Sequence, residues 1–166
     1  MRRRYCFFDY DGTLRSRALD AIPPSARAAL DKLRENGHFV ALATGRLQSD
    51  ALAVLAPQNI DTMVADGGNS ITIDGELVSI EGMPLAPSRA FVHRLDTNGW
   101  AWAVNHENAR TCLTRDEHYA NLVSNLYYTP IIDPTLDIDT LDPIYKIFVP
   151  CKTGEERSID FTGVTW

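Results

Sequence analysis

Two carboxylates follow directly on a short apolar run near the start of the chain. In FFDYDGTL, residues 7–14, one residue separates Asp9 from Asp11, and Gly12 and Thr13 come next. Two like charges this close make each other harder to ionise, so a ligand that relieves the repulsion is expected. A divalent cation shared with a phosphate would relieve it, because Mg²⁺ binds one or two carboxylates together with substrate oxygens. Gly12 allows close backbone approach, and Thr13 offers a hydroxyl and an amide, so the pattern predicts a metal and phosphate site.

A second polar group ends the next apolar run, HFVALATGR. Thr44, Gly45 and Arg46 follow residues 39–43 directly. Ligands of open α/β sheets bind outside the carboxyl ends of the strands, so Thr44 is expected near Asp9. Arg46 has two interpretations that the sequence leaves open: it holds a substrate phosphate, or it faces solvent at the start of a helix.

The carboxylate pair also has more ordinary interpretations. Asp-Gly pairs are common in surface turns, and DYDG alone would be read as one. A calcium-binding EF-hand loop fits poorly, because it requires glycine at its sixth position. Counted from Asp9, Gly12 is the fourth residue. The longer pattern DxDGTL, placed directly after an apolar run, favours a site over a turn.

The elements that must position these residues alternate between strands and helices. The continuous apolar run of residues 5–8 predicts a strand buried on both faces of a parallel sheet. Paired prolines, apolar residues at helical spacing and Gly37 predict a helix at residues 25–36. A strand at 39–43, a helix near 48–55 and a strand at 62–65 complete this half. Such alternation is typical of α/β sheets with right-handed crossovers.

The pattern changes near residue 67. Asp74-Gly75 is a strong hairpin signal, and Pro84 and Pro87 mark a linker. Beyond the linker, the predicted elements are a helix at 88–98, strands at 100–104 and 109–113, a helix near 116–125 and a strand at 144–151. We therefore predict an α/β core at residues 1–82 and a separate α+β unit at residues 83–166.

Composition excludes several classes of protein. The 166 residues are 45% hydrophobic and 23% charged, which is typical of a globular protein. A net charge of −6 argues against general binding of nucleic acid, which favours a basic face. The apolar run after MRRR is too short for a secretory signal, and no segment approaches the roughly 20 apolar residues of a membrane span. Three cysteines without a CxxC pair fit a reducing compartment, so a cytoplasmic protein is expected.

These motifs together resemble a known family. The resemblance lies in four segments: FDYDGTL, the spacing segment IPPSARAALDKLRENGH, LATGR, and VADGGNSI with its hairpin. The sequence resembles the haloacid dehalogenase (HAD)-like superfamily of aspartyl-nucleophile phosphatases, and its Cof-type branch in particular. The resemblance implies a Rossmann-like parallel-sheet core with an α+β cap of the C2 type inserted after the third strand.

The resemblance also implies roles for individual residues. Asp9 would be the nucleophile that accepts the phosphoryl group, and Asp11 the acid/base. The Asp9 carboxylate and the main-chain carbonyl of Asp11 would bind Mg²⁺. The residues expected to contact the substrate phosphate are Thr13, Thr44, Gly45 and Arg46. The implied activity is Mg²⁺-dependent hydrolysis of a small phosphorylated metabolite such as a sugar phosphate.

Two motifs of that family are absent from the sequence. No GDxxND-like stretch follows residue 150, and Lys146 lies in a predicted cap strand, which makes it a structural lysine. Gly67-Gly68 stands where the family shows Asn-Gly, and Asn69 either recovers that contact or belongs to a simple turn. We therefore expect the amino-terminal portion of a phosphatase, with a truncated cap and no activity alone. Its uncovered sheet edge would drive self-association.

Two other functions remain open at this point. The chain could be a non-catalytic phosphate-binding, metal-binding or interaction remnant of the same fold. It could also come from a phosphotransferase or mutase that uses the same nucleophile. In the second unit, Trp100 and Trp102 alternate along a predicted strand; they either pack on one face or line a substrate pocket.

Overall fold

The computed structural model describes residues 2–16, 18–19, 21–123 and 128–164. The chain forms two compact units, residues 1–80 and residues 81–166, and each is described by itself. In the described ranges, no helix combines the length and apolarity that crossing a membrane requires. Cys6, Cys112 and Cys151 are free thiols.

The first unit is built on a five-stranded sheet in the order β1-β2-β3-β4-β5. The strands are β1 (Tyr5–Phe8), β2 (Phe39–Ala43), β3 (Met63–Ala65), β4 (Ser70–Ile73) and β5 (Glu76–Ile80). The first three run parallel, and the hairpin β4–β5 continues the sheet antiparallel. Asp74 and Gly75 take φ values of 51° and 82°, the conformation that a two-residue hairpin turn favours. The predicted α/β class is confirmed.

Two helices supply the crossovers between the parallel strands. α1 (Pro24–Glu35) begins with a proline in its first turn, where a missing amide hydrogen costs nothing. Gly37, with φ of +77°, follows its end. α2 is Gln48–Leu55. The core that these elements share contains Leu30, Leu42, Ala51, Leu55, Met63 and Ala65. Truncating one of its leucines to alanine costs about 2–5 kcal/mol.

The prediction that β1 is buried on both faces is wrong. Tyr5 and Phe7 are 66% and 56% exposed, whereas Phe8 packs against the hydrophobic core. Because side chains alternate along a strand, Tyr5 and Phe7 share the other face. Their rings contact Phe39 of β2 with centroids 5.4 and 6.2 Å apart. The continuous apolar run of β1 therefore forms a strand with one face against the core and one exposed aromatic face.

The second unit combines helices with a four-stranded sheet in the order β8-β7-β6-β9. Its elements are α3 (Leu85–Thr97), β6 (Ala103–Asn105), β7 (Thr111–Thr114), α4 (Tyr119–Leu122), β8 (Thr129–Ile132) and β9 (Lys146–Phe148). β6 is antiparallel to β7 and β9, and β7 pairs parallel with β8. Lys146 lies in β9, paired with Asn105.

The sequence predictions for this unit need two corrections. The helix predicted near residues 116–125 is the four-residue α4, and positions 124–125 lie outside the described residues. β8 has no counterpart among the predicted strands, because its sequence TPII carries Pro130. Proline lacks the amide hydrogen for a sheet ladder and is confined to edge positions. β8 lies at the end of the strand order, where a proline is tolerated.

Trp100 and Trp102 have the packing role that the sequence left open, whereas a part in a substrate pocket stays a prediction. Trp102 is 4% exposed in the hydrophobic core of the unit, and Trp100 packs against that core. Both also line a cavity of about 360 Å³. At its wall, Trp102 Nε1 donates to Asp96 Oδ1 at 2.7 Å, and the Arg115 guanidinium lies 5.2 Å from the Trp102 ring centroid. The two tryptophans therefore stabilise the unit and shape a polar concavity at its surface.

Candidate active site

The loop after β1 folds back on its own first carboxylate. Asp9 follows the strand directly, and Thr13 Oγ1 donates to Asp9 Oδ2 at 3.0 Å. The main-chain amide of Leu14 donates to the Asp9 carbonyl at 3.3 Å, and the Leu14 side chain is buried. Gly12 has φ of +85°, a conformation that side chains other than glycine rarely adopt. The tight loop therefore holds Asp9 at the end of the sheet, with its side chain exposed to solvent.

The loop after β2 brings Thr44 to the same edge. Phe8 pairs with Leu42 in the parallel ladder, so Asp9 and Thr44 follow the last pair by one and two residues. Thr44 is 7% exposed, and its amide donates to the Val64 carbonyl at 2.9 Å. Its hydroxyl oxygen accepts from the Arg46 amide at 3.2 Å, which leaves the hydroxyl hydrogen to be donated to a ligand.

Arg46 joins the two loops through its guanidinium. Nε donates to Asp11 Oδ2 at 2.7 Å and Nη2 donates to Asp11 Oδ1 at 2.9 Å, a bidentate pair. The remaining nitrogen, Nη1, donates to Asp50 Oδ2 at 2.8 Å. The Arg46 side chain is 13% exposed and lies over the Tyr10 ring, 5.1 Å from its centroid. The interpretation of Arg46 as a solvent-facing residue is therefore wrong, and its contact with a substrate phosphate stays a prediction.

Gly45 lies between these two residues and is exposed. A Cβ added there would meet no atom within 4 Å, so space within the described residues does not require glycine. Its contact with a phosphate stays a prediction, as does that of Thr13.

The arginines around Asp11 set its charge. The pKa of Asp11 is held below its ordinary value, chiefly by the hydrogen bond from Arg46, while partial burial opposes the shift. Arg15 adds to the effect, with Nη1 3.2 Å from Asp11 Oδ1. In turn, Asp11 raises the pKa of Arg46 further above its ordinary value. Asp11 is therefore ionised at neutral pH in this arrangement, which is the state of a base rather than an acid.

The loop after β3 holds the loop after β2 in place. Its Asp66 is 5% exposed, and Oδ2 accepts from the Gln48 amide at 3.0 Å and from Ser70 Oγ at 2.9 Å. The Asp66 amide donates to the Arg46 carbonyl at 2.8 Å. Because Gln48 is the first residue of α2, Asp66 fixes both the start of that helix and the backbone of the loop before it. Asn69, nearby, is exposed.

Three residues of this site were not predicted from the sequence. Arg15 and Asp50 each stand four positions from their partners, Asp11 and Arg46. Asp50 lies in the first turn of the predicted helix α2, just after Arg46, so its nearness to Arg46 was a signal that could have been followed. The contact of Asp66 with Gln48 offered no such signal, because the two residues are 18 positions apart and are brought together only by the fold.

Two groups of the site, the Asp9 carboxylate and the Asp11 main-chain carbonyl, could supply part of the ligand set of a hard divalent cation. The Asp9 carboxylate is exposed, and only Oδ2 accepts a hydrogen bond from the described residues. Within the same ranges, nothing donates to the main-chain oxygen of Asp11. One carboxylate, one carbonyl and substrate oxygens are a ligand set that Mg²⁺ accepts. No cluster of three or more His, Cys, Asp or Glu side chains with metal-binding geometry occurs among the residues the structure describes.

The chain is similar to known proteins in sequence and in fold. The family model for haloacid dehalogenase-like hydrolases matches residues 6–161, whereas no curated protein matches significantly. A hypothetical protein from Geobacillus kaustophilus is 25% identical, with a TM-score of 0.71 over 95% of this chain and 61% of its own. A sugar phosphatase of HAD subclass IIB is 19% identical, with a TM-score of 0.70 over 95% of this chain and 62% of its own.

A third solved structure has a similar fold. It is described as showing a conserved trigonal-bipyramidal intermediate in a phosphoryl-transfer superfamily, and it is 18% identical, with a TM-score of 0.72 over 96% of this chain and 62% of its own. The chain thus spans 61–62% of the length of these structures. Because the family model covers nearly all of the sequence, including the Asp9 and Thr44 loops, the chain belongs to the haloacid dehalogenase-like hydrolase family.

Proposed function

We propose that the full-length protein is a Mg²⁺-dependent phosphomonoester hydrolase that works through an aspartyl-phosphate at Asp9. The observation that carries the proposal is the junction of two loops at the carboxyl edge of the parallel strands. Asp9 and Asp11 follow β1, Thr44 follows β2, and Arg46 connects the loops by two hydrogen bonds to Asp11. Ligands of α/β sheets bind at this edge.

In the first step, a carboxylate oxygen of Asp9 attacks the phosphorus of the ester. The bond between phosphorus and the leaving oxygen breaks, and Asp11 donates a proton to that oxygen. The hydrogen bond from Thr13 restrains the Asp9 carboxylate, which favours attack because positioning supplies much of the rate in phosphoryl transfer. The Thr44 hydroxyl would donate its hydrogen to a phosphoryl oxygen, and the hydrogen bond it accepts from the Arg46 amide supports this role.

Asp11 must carry a proton for that step, although Arg46 and Arg15 hold its pKa low in the free protein. A phosphate dianion that binds beside Asp11 raises the pKa of that carboxyl, since a like charge disfavours ionisation. The phosphate also competes for Arg46. Binding of the substrate thus favours uptake of a proton from solvent by Asp11.

In the second step, the Asp11 carboxylate left by the first step takes a proton from water. The water oxygen attacks the phosphorus of the aspartyl-phosphate, inorganic phosphate leaves, and the Asp9 carboxylate is restored. The Asp9 carboxylate and the Asp11 carbonyl would hold Mg²⁺, which when bound neutralises charge on the phosphoryl oxygens.

The proposed substrate class is a small phosphorylated metabolite, such as a sugar phosphate. The likeness to a sugar phosphatase supports this class, together with the family membership. We propose that the second unit, residues 81–166, acts as an α+β cap and selects the substrate. Its tryptophan-lined cavity is a polar concavity of the size of a small ligand.

The proposal is tested by metal removal. The full-length protein is expected to hydrolyse nitrophenyl phosphate with Mg²⁺ and to lose the activity when the ion is chelated, because phosphoryl transfer needs the developing charge neutralised. Activity should return when Mg²⁺ is added in excess and should not return with Na⁺ at equal ionic strength. Steady hydrolysis in the presence of chelator would contradict the assignment of Mg²⁺, and absence of hydrolysis of any phosphate ester would contradict the proposed function.

A further inference from the structure

The carboxylate of Asp50 lies behind the proposed site and is not used by the proposed mechanism. It is on α2, its side chain is 0% exposed, and Oδ2 lies 2.8 Å from Arg46 Nη1. Burying a carboxylate is costly unless it is paired. The pairing here occupies Nη1 of Arg46, while Nε and Nη2 donate to Asp11.

The geometry of a guanidinium makes this pairing directional. The group is planar, and its five N–H bonds point in fixed directions. With Nη1 held by a buried carboxylate, the edge formed by Nε and Nη2 has one direction left, toward the two oxygens of Asp11. Tyr10, which is 2% exposed, closes one face of the group. A lysine at position 46 could not make this bridge, because an ammonium offers no flat fork.

We propose that Asp50 is a positioning residue for the acid/base group: it orients Arg46, and Arg46 in turn fixes the direction of the Asp11 carboxylate. The acid/base role of Asp11 rests on the proposed function, whereas the orientation of the carboxylate does not. Among the described residues, Arg15 from the same loop also faces the Asp11 carboxylate, with Nη1 3.2 Å from Oδ1. Asp50 meets Arg46 from α2.

Charge and position predict different results when Asp50 is changed. If Asp50 acted only through its negative charge, Asp50→Glu, which keeps that charge, would leave the guanidinium of Arg46 held as before. If Asp50 orients Arg46 by its position, Asp50→Asn and Asp50→Glu should both loosen the guanidinium, because each change disturbs the contact with Nη1.

The test is side-chain nitrogen NMR of Arg46 at constant neutral pH, in the full-length protein and in three variants. A guanidinium held at all three nitrogens rotates slowly about its Nε–Cζ bond and gives separate signals for Nη1 and Nη2, and Asp50→Asn and Asp50→Glu should each merge these signals. Asp31→Asn is the matched control, since it removes an Arg–Asp contact, 3.2 Å to Arg34, on α1; it should leave the two Arg46 signals separate. Separate Nη1 and Nη2 signals in a folded Asp50 variant would overturn the proposal.

A kinetic measurement ties this position to catalysis. Loss of acid help slows the release of poor leaving groups most, so Asp50→Asn should lower kcat/KM for an alkyl phosphate about tenfold more than for nitrophenyl phosphate. Equal losses would mean a structural effect and would overturn the kinetic role. If the Arg46 signals merge as expected and no phosphate ester is hydrolysed, the proposed function fails while the positioning role of Asp50 stands. If both Asp50 variants unfold while Arg46→Lys folds, Asp50 serves the fold, and the proposal is wrong.

Discussion

Replacing Asp9 with asparagine is expected to abolish hydrolysis of phosphate esters by the full-length protein. The amide keeps the size of the side chain and an acceptor for Thr13 Oγ1, so the loop should survive. It cannot serve as the attacking carboxylate. Loss of a covalent nucleophile can cost as much as about 10⁶-fold in kcat, and we expect a loss of roughly 10⁴-fold or more. The measurement is kcat on nitrophenyl phosphate, with circular dichroism to verify the fold.

The matched control for this change is Asp74→Asn in the β4–β5 turn. Asp74 has φ of +51°, which asparagine tolerates as well as aspartate, and Asn-Gly is a favoured hairpin turn. Its activity should equal that of the unchanged protein. Near-normal activity of Asp9→Asn would show that Asp9 takes no part in the reaction and that its loop is an ordinary surface turn.

Replacing Asp11 with asparagine is expected to give a loss that depends on the leaving group. General acid–base catalysis contributes about 10²–10⁴-fold, and a sugar alkoxide needs a proton to leave, whereas nitrophenolate does not. The loss in the rate of the first step should therefore reach about 10²–10⁴-fold for a sugar phosphate and be much smaller for nitrophenyl phosphate. Single-turnover kinetics with both substrates measure this step.

The same variant carries its own control. Removing the charge of Asp11 frees Arg46 and Arg15 from one partner, but both substrates experience that change equally. A loss of the same size with both substrates would therefore indicate disturbed phosphate binding and would contradict the acid role of Asp11.

The lowered pKa of Asp11 also has a consequence for folding. Its ionised form is stabilised in the folded state by Arg46 and Arg15. A carboxyl with a lowered pKa contributes stability above its ordinary pKa, and that contribution is lost as the pH falls through the lowered value. The difference in stability between the protein and Asp11→Asn should thus be present at neutral pH and disappear in acid.

The sequence predicts the parts of the site that local patterns define. DxDGTL and ATGR each follow an apolar run, and the rule that ligands lie at the carboxyl ends of parallel strands brings them to one edge. The structure places Asp11 and Arg46 in contact there. Helix α2 was predicted at the residues where it occurs. These features depend on a few neighbouring residues, so the sequence alone carries them.

Features that depend on partners distant in the chain were not predicted. Asp66 binds the start of α2 because β3 lies next to β2, and no spacing in the sequence signals that contact. The exposed face of β1 has a similar cause: Tyr5 and Phe7 are as apolar as Phe8, and only the placement of the covering elements separates them. β8 was missed because Pro130 argues against a strand unless its edge position is known.

The central claim is that Asp9 accepts the phosphoryl group, and the most direct measurement is to trap the product of that step. In Asp11→Asn, nitrophenolate should still leave, whereas hydrolysis of the aspartyl-phosphate should be slow, because the base that activates water is gone. Rapid acid quench and peptide mass spectrometry should then find one phosphoryl group on Asp9, with a burst of nitrophenolate equal to the protein concentration. A phosphoryl group on another residue, or turnover without any phosphorylated protein, would contradict the mechanism.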